Sequence, residues 1–597
     1  MVKRFLITTA LEETWRDDEP VLFLGEWCRS FKRKSAWKDL DAEVVPYHWD
    51  DREKLHRDYF YLQALYEELL QELSAQLNTL HGVQYSLRYW RILVGPWLGN
   101  FVQILFDRWT MLEQAVKGYS IAGAQILDVT PEALIPNDMG HFVNIFGGDE
   151  WNEMIYGQLL QNWSAVPVAK VQASGAQMAP PPLQALTITR RLKRKMAHAV
   201  STASRWFVRE DEAFFISTYL PIKRDWKLQW SMGQIPKLWR AFPPPHADVV
   251  WEKRQWKMGQ AGADDFAAIA RAMIPKHIPV SYLEGYSALQ SFCRDLPWPK
   301  RPQLIFTSNS YNSDDVFKAW AAEKADSGVP FVVGQHGGMF GVARWIVDED
   351  HQVAISDSWL SWGWEDEKNP RVKPAGNFKM AGRNLGWDPK GGALMVEMTQ
   401  QRYSCTMHSS PMASQWLGYF EDQCRFVEAL PKALREQLLV RLYSHDCGWD
   451  QKQRWQDRFP QICLDDGMIP IAGLIEKSRI YISTYNATTF LESLAMDIPT
   501  IMFWNPNHWE LRDSAIPYFE KLKEVGVFHE SPESAACQMA RVWDDVAGWW
   551  TQSDVQEARL SFCKRFSRVP NNPIQTLMAA LQDAKHPNGV RGFNNKL

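Results

Sequence analysis

Four short stretches concentrate the groups that hold anions or move protons. The richest runs Ile480-Tyr-Ile-Ser-Thr-Tyr-Asn-Ala-Thr-Thr-Phe-Leu-Glu492 and on to Phe503. An apolar strand, Ile480 to Ile482, leads into Ser483, Thr484 and Asn486. Thr488 and Thr489 then open a helix with Phe490, Leu491, Leu494 and Ala495 on one side, and Thr500 to Phe503 forms the next strand. Hydroxyls and free backbone N–H groups at a helix start suit a phosphate. Glu492, one turn farther in, is placed to accept sugar or ribose hydroxyls. The same Ser and Thr residues would serve equally as plain helix caps. The second stretch is Gly334-Gln335-His336-Gly337-Gly338, directly after the apolar run Val329 to Val333. Its glycines let backbone N–H groups approach a ligand beside the imidazole; the plain reading is a turn with a polar surface histidine. It is not the dinucleotide fingerprint, because G-x-G-x-x-G is absent. In the third, Arg441-Leu-Tyr-Ser-His445, an arginine in an apolar strand needs an anionic partner, either a phosphate or a structural carboxylate. His445 reads as a ligand contact or as surface. The fourth, Lys373-Pro-Ala-Gly-Asn377, offers Asn377 to a base pocket, or is an ordinary turn.

For proton transfer the candidates follow strand-like runs near the N-terminus: Glu26 between Gly25 and Trp27, then His48 and Asp50. Glu26 is the first choice as general base for an acceptor hydroxyl, with Asp50 and His48 as alternatives; a loop role without chemistry is open for each. None of these groups has metal-ligand spacing, and no DxD stands at these strand exits, so no metal or bound cofactor is expected.

These groups must sit on alternating strands and helices. Leu55 to Leu80 is a long amphipathic helix, Pro96 marks a kink or a helix start, and Val353 to Ser356 reads as a strand. From about residue 338 to about residue 560 the α/β alternation is clear. The expectation is two α/β halves, each a parallel sheet with flanking helices, with ligands between the C-terminal edges of their strands. The division is residues 1–320 on the acceptor side, with an irregular insertion at about 125–210, then 321–565 on the nucleotide side, then a tail at 566–597. At 597 residues the chain exceeds one core. A net charge of -4 and the lack of a long basic tract exclude a nucleic-acid partner. The basic runs Lys32 to Lys34 and Arg191 to His198 are solvated faces or peripheral membrane contacts. Eight cysteines without a CxxC pair argue against zinc and a disulfide framework, and the absence of an apolar leader places the chain in the cytoplasm, where it would sit free or at the inner membrane. The 30 tryptophans serve packing, or in part a sugar-facing cleft.

With these residues in view, the chain resembles a family of largely uncharacterised bacterial transferases linked to surface-carbohydrate assembly. The resemblance rests on Phe23-Leu-Gly-Glu-Trp-Cys28, Tyr47-His-Trp-Asp-Asp-Arg52, Arg88-Tyr-Trp-Arg-Ile-Leu-Val-Gly-Pro-Trp97, Gly334-Gln-His-Gly-Gly338 and Ser483-Thr-Tyr-Asn-Ala-Thr-Thr-Phe-Leu-Glu492. The second half is also similar to GT-B glycosyltransferases. Among these, enzymes that use CMP-activated ulosonic acids hold the phosphate with a histidine motif and a Ser/Thr motif, which His336 and Ser483-Thr484 match. The match departs at Gly337, where those enzymes have proline. The resemblance implies two Rossmann-like domains facing a central cleft and metal-independent, inverting transfer. The donor would be a nucleotide sugar, a CMP-linked nonulosonic acid first, and the acceptor a glycan or a lipid-linked molecule. UDP-, GDP- or TDP-sugars and a CDP-alditol remain alternatives of the same class. A non-catalytic nucleotide- or glycan-binding protein is the alternative from a different class.

Overall fold

The computed structural model describes residues 2–172, 208–259 and 265–585. Short apolar runs such as Phe5-Leu-Ile7, Phe331-Val-Val333 and Ile480-Tyr-Ile482 are buried on both faces, the pattern of parallel strands covered by helices. They assemble into three sheets, parallel throughout. The first contains β1 (Arg4–Ile7), β2 (Val21–Phe23), β3 (Ala42–Val44), β4 (Ile121–Leu127) and β5 (Val168–Val171), in the order β3-β2-β1-β4-β5. The middle sheet contains β6 (Phe214–Ile216), β7 (Ile305–Thr307), β8 (Phe331–Gly334), β9 (Ser358–Ser361) and β10 (Val372–Pro374), in the order β10-β9-β8-β7-β6. The third contains β11 (Gly392–Val396), β12 (Leu438–Arg441), β13 (Cys463–Asp465), β14 (Ser478–Ser483), β15 (Thr500–Phe503) and β16 (Phe528–His529). Its order, β13-β12-β11-β14-β15-β16, is doubly wound, with the direction of winding reversing between β11 and β14.

The middle and third sheets are the expected pair of Rossmann-like domains, and a cleft lies between them. The first sheet is an additional one. The expected division at residue 320 falls inside the helix Asp315–Asp326, between paired strands β7 and β8 of the middle sheet. The stretch expected to be irregular is regular over much of its described part: it holds β4, the helix Asp149–Trp163 and β5. Its remainder, and the basic run Arg191 to His198, lie outside the described residues. The expected tail also differs through Lys585. The helix Pro573–Lys585 crosses back to the middle sheet, where Leu577 and Leu581 pack with Leu228, Phe215, Phe306 and Val332. Val353 to Ser356 is not a strand; Val347–Ile355 is helical, and the strand follows at β9.

Two long helices join the first sheet to the others. Arg52–His81 is capped by Asp51, which accepts from Lys54 N at 2.9 Å, and stops at Gly82 with φ 64°. Leu87–Gly118 continues through Pro96 instead of breaking there. Asn100 Nδ2 donates to the Pro96 carbonyl at 3.0 Å, and burial of Leu93, Trp97, Phe101 and Ile104 outweighs the lost hydrogen bond. Tryptophans such as Trp90, Trp97, Trp359 and Trp416 are sealed in the interior, which supports the packing reading for them.

The exits of the first sheet are filled from within. Thr8 and Thr9 donate to Glu153 Oε2 at 3.1 and 2.7 Å, and burial pushes that carboxyl up to about 7. Arg402 Nη1, from a third-sheet loop, donates to the Trp27 carbonyl at 2.6 Å, and Arg402 and Tyr403 both pair with Asp149. Alongside, Asp107 accepts from Tyr47 Oη at 2.8 Å and pairs with Arg108, both residues almost fully enclosed. Asp107→Ala leaves the Arg108 guanidinium buried without its carboxylate. The expected loss is about 3–5 kcal/mol in the first denaturation transition; a change below about 1 kcal/mol would show that the pair adds no net stability. A second outcome concerns pH. Burial pushes His277 and His351 down to about 3, from 6.5. Below 6.5 the unfolded chain therefore binds more protons, so stability falls as pH drops from 6.5 toward 3. Denaturation midpoints measured across that window should fall less steeply in a His277→Gln/His351→Gln variant.

Candidate functional site

Two of the motifs meet in space. Gly334 ends β8 in a tight place: a Cβ there would lie 3.0 Å from the Phe306 ring and from Ser308 Oγ. Gln335 then fixes the loop. Its Nε2 donates to the Gly337 carbonyl at 2.8 Å, and its Oε1 accepts from Trp362 N at 2.8 Å and Trp364 Nε1 at 3.0 Å. The loop thereby reaches the helix Thr488–Ala495 of the third sheet, where Gly338 N donates to Thr488 Oγ1 at 2.9 Å. A Cβ on Gly338 would stand 2.2 Å from the Ala487 carbonyl carbon. Only glycine permits this backbone-to-backbone approach.

The helix that receives the loop begins without a side-chain cap: its N-cap residue is Ala487. The capping alternative for the Ser and Thr residues is therefore not what the structure has. Around this junction lies a cavity of about 360 Å³, lined by His336, Gly337, Gly338 and Thr488 together with Tyr219, Asp348, Lys379 and His408. Burial lowers the His336 imidazole below its ordinary value, and the nearby Asp348 carboxylate partly opposes it. His408 shows the same balance of burial and Asp348. Neither Nδ1 of these two histidines has a hydrogen-bond partner. Lys379 Nζ pairs with Glu492 Oε1 at 2.6 Å, which holds the ammonium at the cavity wall. Among the described residues no three His, Cys, Asp or Glu side chains are grouped as a metal site requires. An uncapped helix start, a lysine, two imidazoles and two bare glycines are groups able to receive an anion, and Asp348 adds a carboxylate beside them.

A model of the LIC12162 family of transferases matches residues 4–581. The chain belongs to this family. Partial likeness extends to two solved structures. One is an alpha,alpha-trehalose-phosphate synthase (UDP-forming) from Burkholderia vietnamiensis, at 10% identity and TM-score 0.30, covering 51% of this chain and 77% of that one. The other is a trehalose-6-phosphate synthase, OtsA, at 9% identity, TM-score 0.30 and the same coverage. No curated protein matches the sequence.

In this LIC12162-family transferase the cavity gathers His336, Gly337 and Thr488, with Glu492 behind Lys379. Gly334 and Gln335 support the loop and do not line the cavity. Other expected ligands are engaged elsewhere. Thr484 Oγ1 donates to the Val396 carbonyl at 2.9 Å and meets Tyr419 Oη at 2.6 Å, tying β14 to β11 across the point where the winding reverses. Ser483 Oγ donates to the Tyr485 carbonyl at 3.3 Å, and Thr489 Oγ1 to Tyr485 Oη at 3.0 Å. Asn486 is fully buried with neither amide atom bonded. Asn377 donates from Nδ2 to Ser567 Oγ at 3.1 Å and faces the crossover segment, not a base pocket. Arg441 is a structural pair: Nη1 binds Asp465 Oδ2 at 2.5 Å, and Nη2 binds the Gly467 and Ile469 carbonyls. His445 is an exposed loop residue outside the cavity lining.

The proposed bases are also displaced. Glu26, His48 and Asp50 lie where the first sheet meets third-sheet loops, and none lines the cavity. Glu26 pairs with Arg29 at 3.0 Å. His48 is enclosed between Asp107 at 3.1 Å and Lys54 at 3.0 Å, and burial lowers its pKa. Asp50 accepts from Gln415 Nε2 at 3.1 Å. The residues that sequence reasoning missed are Asp348, Lys379, His408 and Tyr219. Asp348 stands in the run Asp348-Glu-Asp350 and reads as an ordinary acid at a helix start; His408 sits in a loop with no flanking strand signal. Gly338→Ala should break the junction, lowering the thermal midpoint and costing about 1–3 kcal/mol. Gly337→Ala, whose Cβ would face Thr488 Oγ1 at 3.2 Å, serves as the milder comparison. Equal stability of the two variants would refute the close approach.

Proposed function

We propose that this transferase moves a sugar from a nucleotide-activated donor to a hydroxyl of a glycan or lipid-linked acceptor in surface-carbohydrate assembly. The observation that carries the reading is the cavity at the Gly338–Thr488 junction, where anion-binding groups from both Rossmann-like domains surround Asp348. The donor phosphate lies against the Thr488 helix start and the N–H group of Gly337, with Lys379 and His336 supplying further charge and hydrogen bonding. These groups stabilise the nucleotide as it departs. Asp348 takes the proton of the acceptor hydroxyl as it attacks the anomeric carbon, and direct displacement inverts that centre. His408, which lines the same cavity, interacts electrostatically with the Asp348 carboxylate.

A nucleoside-diphosphate sugar is placed ahead of a CMP-linked nonulosonic acid. The histidine motif continues with Gly337 where the CMP-using enzymes have proline. The cavity also offers two separate anion-facing places, the helix start and Lys379, which suit two phosphates. The experiment is a thermal-shift series with UDP, GDP, TDP, CDP and CMP. Stabilisation by a nucleoside diphosphate is expected, CMP alone would restore the nonulosonic reading, and no response to any nucleotide would sink the donor site. With the responding donor, Asp348→Asn should lower kcat by about 10²–10⁴ while nucleotide binding persists. Unchanged turnover would remove Asp348 from the chemistry.

A further inference from the structure

On the outer side of the middle sheet, the helix Ile222–Ser231 has a face that the transfer reaction leaves unused. Asp225, Leu228 and Gln229 point inward, and Leu228 packs with Leu577 and Leu581 of the returning C-terminal helix. Outward, Ile222, Trp226 and Trp230 follow one another at intervals of four, a single stripe along the helix. They are 51%, 43% and 75% exposed, and Ile235, just beyond the helix end, is 52% exposed. Among the described residues Trp226 and Trp230 are the only tryptophans that stand exposed, and they share one short surface helix.

The charges beside the stripe have one sign. Lys223 and Lys227 are exposed and Arg224 partly so, whereas the helix's one acid, Asp225, is turned inward toward Thr218 and Gln229. The chain as a whole carries -4, so this cationic face is local. Large apolar side chains flanked by lysines match the boundary between lipid headgroups and acyl chains, where indole rings are favoured and cations meet phosphates. A two-fold contact with a second copy would instead bring the lysines of both helices together. Ten residues cannot span a bilayer, and among the described residues no helix is long and apolar enough to do so. The helix therefore lies flat.

We propose that the helix Ile222–Ser231 is a membrane-surface anchor, laying Ile222, Trp226, Trp230 and Ile235 into an anionic bilayer with Lys223 and Lys227 on its phosphates. Tyr219, three residues before the helix, lines the cavity. Docking this helix therefore holds the cavity close to the lipid surface, where a lipid-linked acceptor would present its hydroxyl. The anchor stands on surface chemistry alone, so its failure leaves the donor reading untouched.

The experiment is co-sedimentation of the full chain with vesicles of equal phosphatidylglycerol and phosphatidylethanolamine, against vesicles of phosphatidylcholine. Binding to the anionic vesicles is expected, weakening in high salt. Trp226→Ser/Trp230→Ser should lose about tenfold or more in vesicle affinity, and Lys223→Glu/Lys227→Glu a similar amount, at about fivefold per lysine lost. Both variants should keep wild-type thermal midpoints and nucleotide response. The proposal is overturned if the wild-type chain ignores anionic vesicles or if the tryptophan variant binds them as well as the wild type does. It is overturned equally by light scattering that finds a dimer which that variant dissolves.

Discussion

Everything at the site depends on one contact, the seating of Gly338 against the backbone of Ala487 and Thr488. It joins a loop of the middle sheet to a helix start of the third sheet, backbone against backbone at Ala487 and through the Thr488 hydroxyl. The approach is close because neither partner has bulk to interpose, and it is directed because Thr488 accepts the Gly338 N–H. Gln335 makes the loop stiff enough to keep this position, since both ends of its amide are spent on the loop and on Trp362 and Trp364. His336 is then the first side chain in the loop with no structural bond of its own to satisfy at Nδ1.

The motifs were legible because each combines strand, glycine or hydroxyl, and helix within a few residues. Their pairing across two sheets could be inferred as well, since ligands gather at strand exits in such folds. What remained illegible was which polar residue faces outward from its element. Thr484, Arg441 and Asn377 sit beside ligand-like neighbours, yet each satisfies a buried structural partner, and that partner lies 88, 24 and 190 residues away along the chain. Asp348 fails in the other direction: an acid at a helix start is so ordinary that nothing local marks it as belonging to a cavity. The first sheet was legible in part: the strand-like runs before Glu26 and His48 are β2 and β3. Its separation from the middle sheet was not, because the two are joined through long helices and the sequence reads as one half.

That first sheet shows how a nucleotide-binding architecture can be used for something else. Its β1 and β4 exits form the crevice where such a sheet would hold a ligand, but Glu153 occupies it from one side and Arg402 and Tyr403 close it from the other. Gly147 leaves space there for the Gln401 amide, whose Oε1 would lie 2.4 Å from a Cβ. The carboxylates there answer groups of the same chain, Asp149 the Arg402 guanidinium and Glu153 the Thr8 and Thr9 hydroxyls. Glu26 and His48, at strand-exit positions, are likewise paired with groups of the same chain, Arg29 for one and Asp107 and Lys54 for the other.

The crossover at Asn377 has a mechanical consequence. The chain passes between the middle and third domains twice, once after β10 and once where Ser567 and Arg568 lead to the last helix. Asn377 laces the two passages together, its N–H to the Arg568 carbonyl at 2.7 Å and its amide to Ser567. A body joined to another by one strand can swivel in any direction. Joined by two adjacent strands tied side by side, it resists twisting about either one. A rotation that parted the two passages would first have to break the Asn377 bonds, so this residue acts as a stitch through both.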